Sequence, residues 1–193
     1  MAYLAAQDGK LIYLSSLHTI GRLPNSVDTV IYKPEVSRYH AAIEWNKEHW
    51  FIRDLSLNGT WVNQHKLNKD QAVKLSIGDE IRFGAPDNEP YVLCDDSQPA
   101  DILLSGSDTD ASNVIFLNSY HLLPDEKHPE IAIFRKESQW QLEALGQGIN
   151  SIKPLKNNDR ILIKEREWQV RLASCDEPTV QLAAPLSLDL SLI

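Results

Sequence analysis

Four short motifs in the first half of the chain carry side chains that can bind a phosphate group. They are, in order, Gly21-Arg22, Ser37–His40, Asn58–Asn63 and Leu75–Ile81. Each motif is weak alone, but together they place two arginines, a serine and an asparagine on loops between short strands. Guanidinium groups donate charge-assisted, often bidentate hydrogen bonds to phosphate oxygens, and a serine hydroxyl adds another donor. The set predicts a site for a phosphorylated peptide.

The order and spacing of these motifs resemble those of the forkhead-associated (FHA) domain, a module that reads phosphothreonine. The resemblance covers Ile20 to Gly84. It implies that the arginines and the serine contact the phosphate, and that an asparagine holds the peptide backbone. The residues that we expect to bind the phosphopeptide are Arg22, Ser37, Arg38, Leu57, Asn58 and Asn63. Those that we expect to shape the site are Gly21, His40, Gly59 and Thr60.

Two positions depart from the family pattern. Leu57 stands where the family usually has Ser or Thr, whose hydroxyl contacts the phosphate. A charge-assisted hydrogen bond of this kind contributes about 1.5–3 kcal/mol. Two expectations remain open: the affinity is weakened, or Arg38 compensates for the missing donor. Gln64 replaces a frequent glycine, and we expect it to affect only the following turn.

Each candidate residue also has a simpler structural interpretation. Arg22 alone would be an ordinary surface arginine, Ser37 a turn serine bonded to its own backbone, and Asn58-Gly59 a common turn. His40 invites a catalytic or metal-binding interpretation, yet the sequence places no second histidine or carboxylate at ligand spacing nearby. By resemblance, we expect its imidazole to brace the loops through hydrogen bonds.

The apolar residues occur in short alternating runs separated by turn residues. Asp8-Gly9, between two such runs, predicts a hairpin with a type I′ turn. Asn46–His49 separates two further runs in the same way. Many short strands with frequent turns indicate an all-β fold. We therefore expect an FHA-like antiparallel β-sandwich, and two such sandwiches in tandem.

The second half of the chain resembles a weakened copy of the first. Trp50–Leu55 aligns with Trp140–Leu145, and Leu75–Phe83 aligns with Leu155–Ile163. Sandwiches that are unrelated also share alternating apolar runs, which is the simpler explanation. A true repeat would nevertheless explain why the aligned segments keep the same order.

The second half of the chain keeps the pattern of apolar runs but lacks the phosphate-binding motifs. Val62-Asn63 aligns with Ile149-Asn150, and His40 aligns less securely with His128. No counterpart of Gly21-Arg22 is visible. The expected organisation is an FHA phosphopeptide-binding domain at 1–95, a linker at 96–110, a degenerate FHA-like sandwich at 111–175 with an alternative start near 101, and a C-terminal tail or edge strand at 176–193.

Composition excludes several classes of protein. The 193 residues carry a net charge of −8 without a basic stripe, which argues against nucleic-acid binding. Two cysteines, Cys94 and Cys175, make neither a disulfide framework nor a metal site. Met1–Asp8 lacks the basic and apolar regions of a signal peptide, and no apolar run approaches the roughly 20 residues of a membrane span. We expect a cytoplasmic protein without cofactor, metal or membrane association.

These patterns favour a non-enzymatic adaptor that binds a phosphothreonine-containing protein, such as a Ser/Thr kinase or its substrate, in kinase-linked signalling or complex assembly. The alternative is a scaffold that uses the same surfaces independently of phosphorylation. An enzyme is disfavoured because nucleophile-elbow, P-loop and dinucleotide-binding motifs are all missing from the sequence. Ser37, His40 and Asp54 do not have a spacing that supports a catalytic triad.

Overall fold

The computed structural model describes residues 1–106, 113–146 and 151–173. Within these ranges the regular structure is β-strand, arranged in four sheets that form two sandwiches in tandem. The all-β sandwich fold predicted from the alternating runs is confirmed, as are the two sandwiches in tandem. The part of the chain that the structure describes contains no helix of the length and apolar character needed to cross a membrane.

The first sandwich contains eleven strands in two sheets. In spatial order, one sheet contains β2 (Leu11–Tyr13), β1 (Tyr3–Ala5), β11 (Tyr91–Asp95), β10 (Glu80–Phe83), β7 (Thr60–Val62) and β8 (His65–Lys66). The other contains β4 (Thr29–Val30), β3 (Leu17–Gly21), β5 (Ala41–Trp45), β6 (Trp50–Asp54) and β9 (Val73–Lys74). All pairings are antiparallel except the short parallel pairing of β3 with β4.

Alternation of side chains explains how these strands enclose a core. In β6, Trp50, Ile52 and Asp54 are buried while Phe51 and Arg53 lie at the partly exposed face. The inward positions of both sheets meet in one apolar cluster. Burial of such side chains contributes about 1.5–3 kcal/mol each, so this cluster is the main stabilising element of the first sandwich.

The hairpin between β1 and β2 is present, but its turn differs from the predicted type I′ turn. Gly9 has a φ of 85°, whereas Asp8 is not among the residues with positive φ. The Gly9 N–H donates to the Ala6 carbonyl, and the Ala6 N–H donates to the Lys10 carbonyl. The Asp8 carboxylate accepts the Lys10 N–H. This longer turn needs positive φ only at Gly9. The Asp-Gly pair therefore predicted the hairpin correctly, but the predicted turn type was wrong.

The second sandwich repeats the strand order of the first. One sheet contains β13 (Val114–Phe116), β12 (Ile102–Leu104), β19 (Arg166–Arg171) and β18 (Arg160–Ile163). The other contains β14 (Tyr120–Leu123), β15 (Ile131–Lys136), β16 (Gln139–Ala144) and β17 (Ile152–Pro154). When β4, β7 and β8 are left out, the remaining strands of each sheet in the first sandwich lie in the same spatial order as the equivalent strands of the second sandwich.

Local contacts match between the two sandwiches as well. The Leu75 N–H donates to the Trp50 carbonyl at 2.9 Å, and the Leu155 N–H donates to the Trp140 carbonyl at 2.8 Å. In the next turn, the carboxylate of Asp79 accepts the Ser76 N–H at 2.8 Å. The carboxylate of Asp159 accepts the Lys156 N–H at 2.9 Å. These equivalent contacts support the alignment on which the predicted repeat rests.

Strand register corrects the alignment at the loops. Ala41 pairs with Asp54, and Ile131 pairs with Ala144. The position immediately before the β5 strand, His40, therefore corresponds to Glu130. The expected match of His40 with His128 is wrong by two residues, because the loop before β15 is much shorter than the loop before β5.

The same register shows what replaces Gly21-Arg22. Ile20 pairs with Ala41 in the first sandwich, and Leu123 pairs with Ile131 in the second. Pro124 and Asp125 thus occupy the positions of the glycine and the arginine. The second sandwich carries a carboxylate where the first carries a guanidinium.

The boundary between the sandwiches lies earlier than the predicted linker end. β12 (Ile102–Leu104) pairs with β13 and β19, so it belongs to the second sandwich. The alternative start near residue 101 fits this pairing, and we propose a linker that ends there. Ile149-Asn150, Cys175 and the predicted tail at 176–193 lie outside the described residues.

Polar contacts connect the two sandwiches. Arg171, from β19, donates to Asp28 Oδ1 at 2.6 Å, and both side chains are largely buried. The other carboxylate oxygen of Asp28 accepts the backbone N–H and the hydroxyl of Thr19, in β3. The rings of Tyr13 and Phe116 also meet edge to face, with centroids 6.4 Å apart. The second sandwich thereby contacts Asp28, at the end of the loop that carries Arg22.

Candidate functional site

Three loops of the first sandwich converge at one site. They are residues 22–28 after β3, residues 31–40 before β5, and residues 55–59 between β6 and β7. The Arg22 N–H donates to the Ser37 carbonyl at 2.9 Å. The Leu57 N–H donates to Ser37 Oγ at 3.1 Å, and Asn58 Nδ2 donates to the Glu35 carbonyl at 2.7 Å. Three loops therefore bring together four of the predicted binding residues, Arg22, Ser37, Leu57 and Asn58.

Arg22 presents its guanidinium at the surface of this site. Its Nε–H donates to the Val36 carbonyl at 3.1 Å, which fixes the root of the guanidinium group. The remaining guanidinium N–H groups have no acceptor among the described residues. An oriented guanidinium with free donors is suited to an anion with several oxygens, such as a phosphate monoester.

Gly21 is required by the close approach of two backbone segments. A Cβ atom at this position would lie 2.1 Å from the Arg38 carbonyl oxygen and 3.2 Å from that of Ser37. The absence of a side chain lets the strand that carries Arg22 lie directly against the segment that carries Ser37. The predicted shaping role of Gly21 thus has a steric cause.

Ser37 keeps a hydroxyl hydrogen available for a ligand. Its Oγ accepts the Leu57 N–H, and its own backbone N–H donates to His40 Nδ1 at 2.9 Å. Neither contact uses the hydroxyl hydrogen as a donor. A phosphate oxygen placed beside Ser37 can therefore accept that hydrogen.

His40 connects two of the loops from inside the fold. Because Nδ1 accepts the Ser37 N–H, the ring hydrogen is on Nε2, which donates to the Gly59 carbonyl at 3.0 Å. Burial lowers the pKa of His40 below its ordinary value, although the hydrogen bond to Gly59 and the charge of Asp54 oppose this effect. The imidazole is fully buried and neutral at physiological pH. This geometry fits the bracing role expected from the sequence.

A buried carboxylate, which the sequence did not single out for this role, organises the third loop. Asp54 Oδ1 accepts hydrogen bonds from Ser56 Oγ at 2.7 Å and Thr60 Oγ1 at 2.8 Å. Ser56 Oγ in turn accepts the Gly59 N–H at 2.7 Å. The spacing of Asp54 from Ser56 and Thr60 is the only sequence signal for this network. The network fixes the backbone of Leu57 and Asn58 between two anchored residues, Ser56 and Gly59.

These contacts also remove the basis for a triad of Ser37, His40 and Asp54. The Nδ1 atom of His40 accepts a backbone N–H, and its Nε2 donates to a carbonyl, so neither nitrogen acts as a base toward the serine hydroxyl. Asp54 is bonded to Ser56 and Thr60 instead of to the imidazole. Among the described residues, no group of His, Cys, Asp and Glu side chains is arranged to hold a metal ion.

Two glycines allow the loop at Asn58 to pack tightly. Gly59 has a φ of 118°, and a Cβ atom there would lie 2.3 Å from Lys66 Cε. Gly84 has a φ of 87°, and a Cβ atom there would lie 2.9 Å from the carbonyl oxygen of Glu35. The Gly84 N–H also donates to the Gly59 carbonyl at 3.0 Å. Gly59 was predicted, whereas the role of Gly84 appears only in three dimensions.

The remaining predicted residues differ in position. Arg38 is exposed beside Ser37, and its guanidinium has no acceptor among the described residues. Leu57 is exposed at the tip of the third loop, while Thr60 is buried and bonded to Asp54. Arg38 can thus add positive charge to the site, and Thr60 acts on its shape.

Asn63 is the one predicted binding residue that the structure places elsewhere. It follows β7 at the end opposite to Gly59, about 13 Å along the strand by the usual rise of about 3.3 Å per residue. Its Nδ2 donates to Asp79 Oδ1 at 2.6 Å, and its Oδ1 accepts the Glu80 N–H at 3.0 Å. Both polar atoms of the Asn63 amide are used within this turn. We therefore correct its expected role from binding to turn formation.

Comparisons with known proteins agree on the first half of the chain. A family model described as "FHA domain" matches residues 18–84. A protein phosphatase 1 regulatory inhibitor subunit PPP1R8 homolog from Arabidopsis thaliana is 40% identical over 70 residues, which are 35% of this chain and 19% of that protein. The serine/threonine-protein kinase cds1 of Schizosaccharomyces pombe is 35% identical over 79 residues, or 36% of this chain and 17% of the kinase.

A solved structure titled as Mycobacterium tuberculosis EmbR in complex with a low affinity phosphopeptide is similar at 31% identity, with a TM-score of 0.44. The similarity covers 50% of this chain and 24% of that one. The chain spans less than a fifth of the length of both curated relatives named above. The sequence from residue 18 to residue 84, which contains every residue of the converging loops, is an FHA domain.

Proposed function

We propose that the first sandwich binds a phosphothreonine-containing peptide, and that the protein acts as a non-enzymatic adaptor in kinase-linked signalling or complex assembly. The observation that carries this proposal is the convergence of Arg22, Ser37 and Asn58 on three cross-bonded loops. The FHA family match and the similarity to a protein named as a serine/threonine kinase support it.

The site has the donors that a phosphate monoester requires. Such a group carries about −1.5 to −2 charges near neutral pH and three acceptor oxygens. Arg22 offers unpaired guanidinium N–H groups, Ser37 offers its hydroxyl hydrogen, and Arg38 adds a second positive charge. Because His40 and Asp54 fix the loops before the ligand arrives, little ordering cost remains at binding.

Asn58 has a separate role in this proposal. Its amide nitrogen donates to the Glu35 carbonyl, which fixes the plane of the amide at the tip of the loop. We propose that the amide contacts the peptide backbone beside the phosphothreonine, as the family resemblance implies. Arg22 and Ser37 then select the phosphate, and Asn58 aligns the peptide.

The second sandwich has a different role in our proposal. Asp125, at the position of Arg22, accepts the N–H groups of Lys127 and His128. The backbone hydrogen bond from His128 is the main cause that holds the pKa of Asp125 below its usual value. A carboxylate at this position repels phosphate, so we propose that the second sandwich is a degenerate FHA-like domain that serves as a scaffold or protein interface.

The test is a screen of the full chain against an oriented phosphothreonine peptide library, followed by fluorescence anisotropy on a selected peptide. We expect micromolar binding by the native chain and loss of binding by Arg22→Ala. The matched control is Arg160→Ala, which removes an exposed arginine from the second sandwich.

Two outcomes contradict the proposal. Full affinity in Arg22→Ala would show that the site is assigned to the wrong residues. Equal affinity for the phosphorylated and unphosphorylated peptide would favour the alternative, a scaffold that binds its partner independently of phosphorylation.

A further inference from the structure

The phosphate-binding loops carry the most exposed large apolar side chains of the described residues. Leu57 is 89% exposed and Tyr32 is 77% exposed, and Tyr39 beside Arg38 is also exposed. These three residues belong to the loops at 31–40 and 55–59. The site therefore combines free cationic donors with apolar surface at its rim.

Leu57 is exposed because its loop holds it outward. Its backbone N–H donates to Ser37 Oγ, and its neighbour Ser56 is buried and bonded to Asp54. Its other neighbour, Asn58, donates to the Glu35 carbonyl. With both neighbours anchored, the leucine side chain has no route into the core.

An exposed aliphatic side chain on a fixed backbone is suited to contact with a ligand. Covering it with another apolar group removes its surface from water, which is favourable at about 25 cal/mol per Å². Since its backbone is already held by hydrogen bonds, contact costs little backbone entropy, and the remaining cost is the rotamer freedom of one leucine side chain. The position of Leu57 thus favours a partner that brings an apolar group to this loop.

The distance to Ser37 determines which part of the partner reaches Leu57. The Leu57 nitrogen lies 3.1 Å from the Ser37 hydroxyl oxygen, which is the atom proposed to donate to the phosphate. An extended peptide advances about 3.3 Å per residue. In an extended peptide, the residues next to the phosphorylated one are therefore the nearest to Leu57.

From these contacts we propose that Leu57 is a specificity-determining residue, and that it selects phosphothreonine peptides with an aliphatic residue immediately beside the phosphothreonine. This inference rests on the proposed function of the site. In place of a hydroxyl donor to the phosphate, Leu57 supplies an apolar contact to the neighbouring residue. The charged residues Arg22 and Arg38 provide affinity for the phosphate, and Leu57 distinguishes one phosphopeptide from another.

The experiment measures the affinity of the full chain for a set of peptides that differ only at the two residues beside the phosphothreonine. Leucine, alanine and aspartate are placed there in turn. At one of the two positions we expect leucine to bind about four- to fifteenfold more tightly than alanine, as burial of one or two methylene-sized groups predicts. Aspartate brings no apolar group to Leu57, so its affinity should be the same for the native chain and for Leu57→Ala.

Substitution of Leu57 separates specificity from phosphate binding. In Leu57→Ala we expect the leucine and alanine peptides to bind within about twofold of each other, while Leu57→Met, which keeps an apolar side chain, retains the preference. Leu162→Ala, at another exposed leucine in the second sandwich, is the matched control and leaves the series unchanged. Thermal unfolding of Leu57→Ala should match that of the native chain.

The results distinguish failure of this inference from failure of the proposed function. If leucine gives no preference in the native chain, or if the preference survives in Leu57→Ala, the role of Leu57 is refuted while phosphate-dependent binding stands. If every peptide binds equally with and without phosphate, the proposed function itself is refuted, and the role of Leu57 with it.

Discussion

The buried imidazole of His18 predicts a marked loss of stability in mild acid. In β3, His18 Nδ1 accepts the Ser15 N–H at 3.3 Å, so the ring hydrogen is on Nε2 and is donated to Thr29 Oγ1 at 2.8 Å. A second proton on Nδ1 would face an N–H group. Burial lowers the pKa of His18 from 6.5 to about 4, with Asp28 opposing the shift and Arg171 adding to it.

The sign and size of the effect follow from this shift. In the unfolded chain, His18 takes up a proton near pH 6.5, whereas in the folded chain it stays neutral down to about pH 4. The contribution of neutral His18 to the stability of the folded chain is fully present above pH 6.5, the pKa in the unfolded chain. It is lost as the pH falls from 6.5 to about 4. Each pH unit in this window removes about 1.4 kcal/mol, so the loss from neutral pH to about pH 4.5 is on the order of 2.5 kcal/mol.

Denaturant unfolding followed by tryptophan fluorescence measures this loss at neutral pH and at about pH 4.5. His18→Gln is the informative variant, because its amide can still donate to Thr29 but does not titrate. Between the two pH values, we expect the free energy of unfolding of this variant to fall by less than that of the native chain. The difference should be on the order of 2.5 kcal/mol. The buried His40 supplies part of the dependence that remains, since its pKa is lowered as well.

Two results would refute this reasoning. One is an undiminished pH dependence in His18→Gln. The other is a direct titration by NMR in which the His18 imidazole takes up its proton near the value of a free histidine.

Three substitutions test the contacts that hold the loops of the site in place. Gly21→Ala should destabilise the protein by about 1–3 kcal/mol and weaken phosphopeptide binding without changing any charge, because its Cβ meets the Arg38 carbonyl oxygen at 2.1 Å. Asp54→Ala should cost about 1–3 kcal/mol for each hydroxyl left without an acceptor and should also weaken binding, as measured by denaturant unfolding and anisotropy. Arg171→Ala should cost about 1.5–3 kcal/mol of stability, because it leaves the carboxylate of Asp28 without its charged partner.

Matched controls make these predictions specific. Gly9→Ala places a side chain in open space at a positive φ, so it should carry only backbone strain and leave peptide affinity unchanged. Arg160→Ala removes an ion pair between exposed side chains and should cost at most about 1 kcal/mol. Unchanged affinity in Gly21→Ala or Asp54→Ala, or equal losses for Arg171→Ala and Arg160→Ala, would contradict the structural account.

The sequence predicted the parts of the fold that depend on local pattern. Alternation of apolar residues located the strands, since side chains in a strand point to opposite faces. The shared site of Arg22, Ser37 and Asn58 was predicted through the resemblance of the motifs to the FHA family, without any knowledge of how the loops meet.

Features that depend on distant contacts were missed or misplaced. Asn63 belongs to the same motif as Asn58, yet the strand between them carries it to the opposite end of the sandwich. Gly84 is distant in sequence from Gly59 and Glu35, and only packing brings the three together. The match of His40 with His128 failed because loop length, which register alone reveals, differs between the two sandwiches.

The most direct measurement of the central claim is the affinity of the full chain for one selected phosphothreonine peptide and for the same peptide without phosphate. The account predicts that the phosphate strengthens binding by at least about 100-fold, as two charge-assisted hydrogen bonds to Arg22 and Ser37 would do. It also predicts that Arg22→Ala reduces this difference by at least about tenfold, because the bond to Ser37 remains. Equal affinity for the two peptides, or an undiminished phosphate dependence in Arg22→Ala, would contradict it.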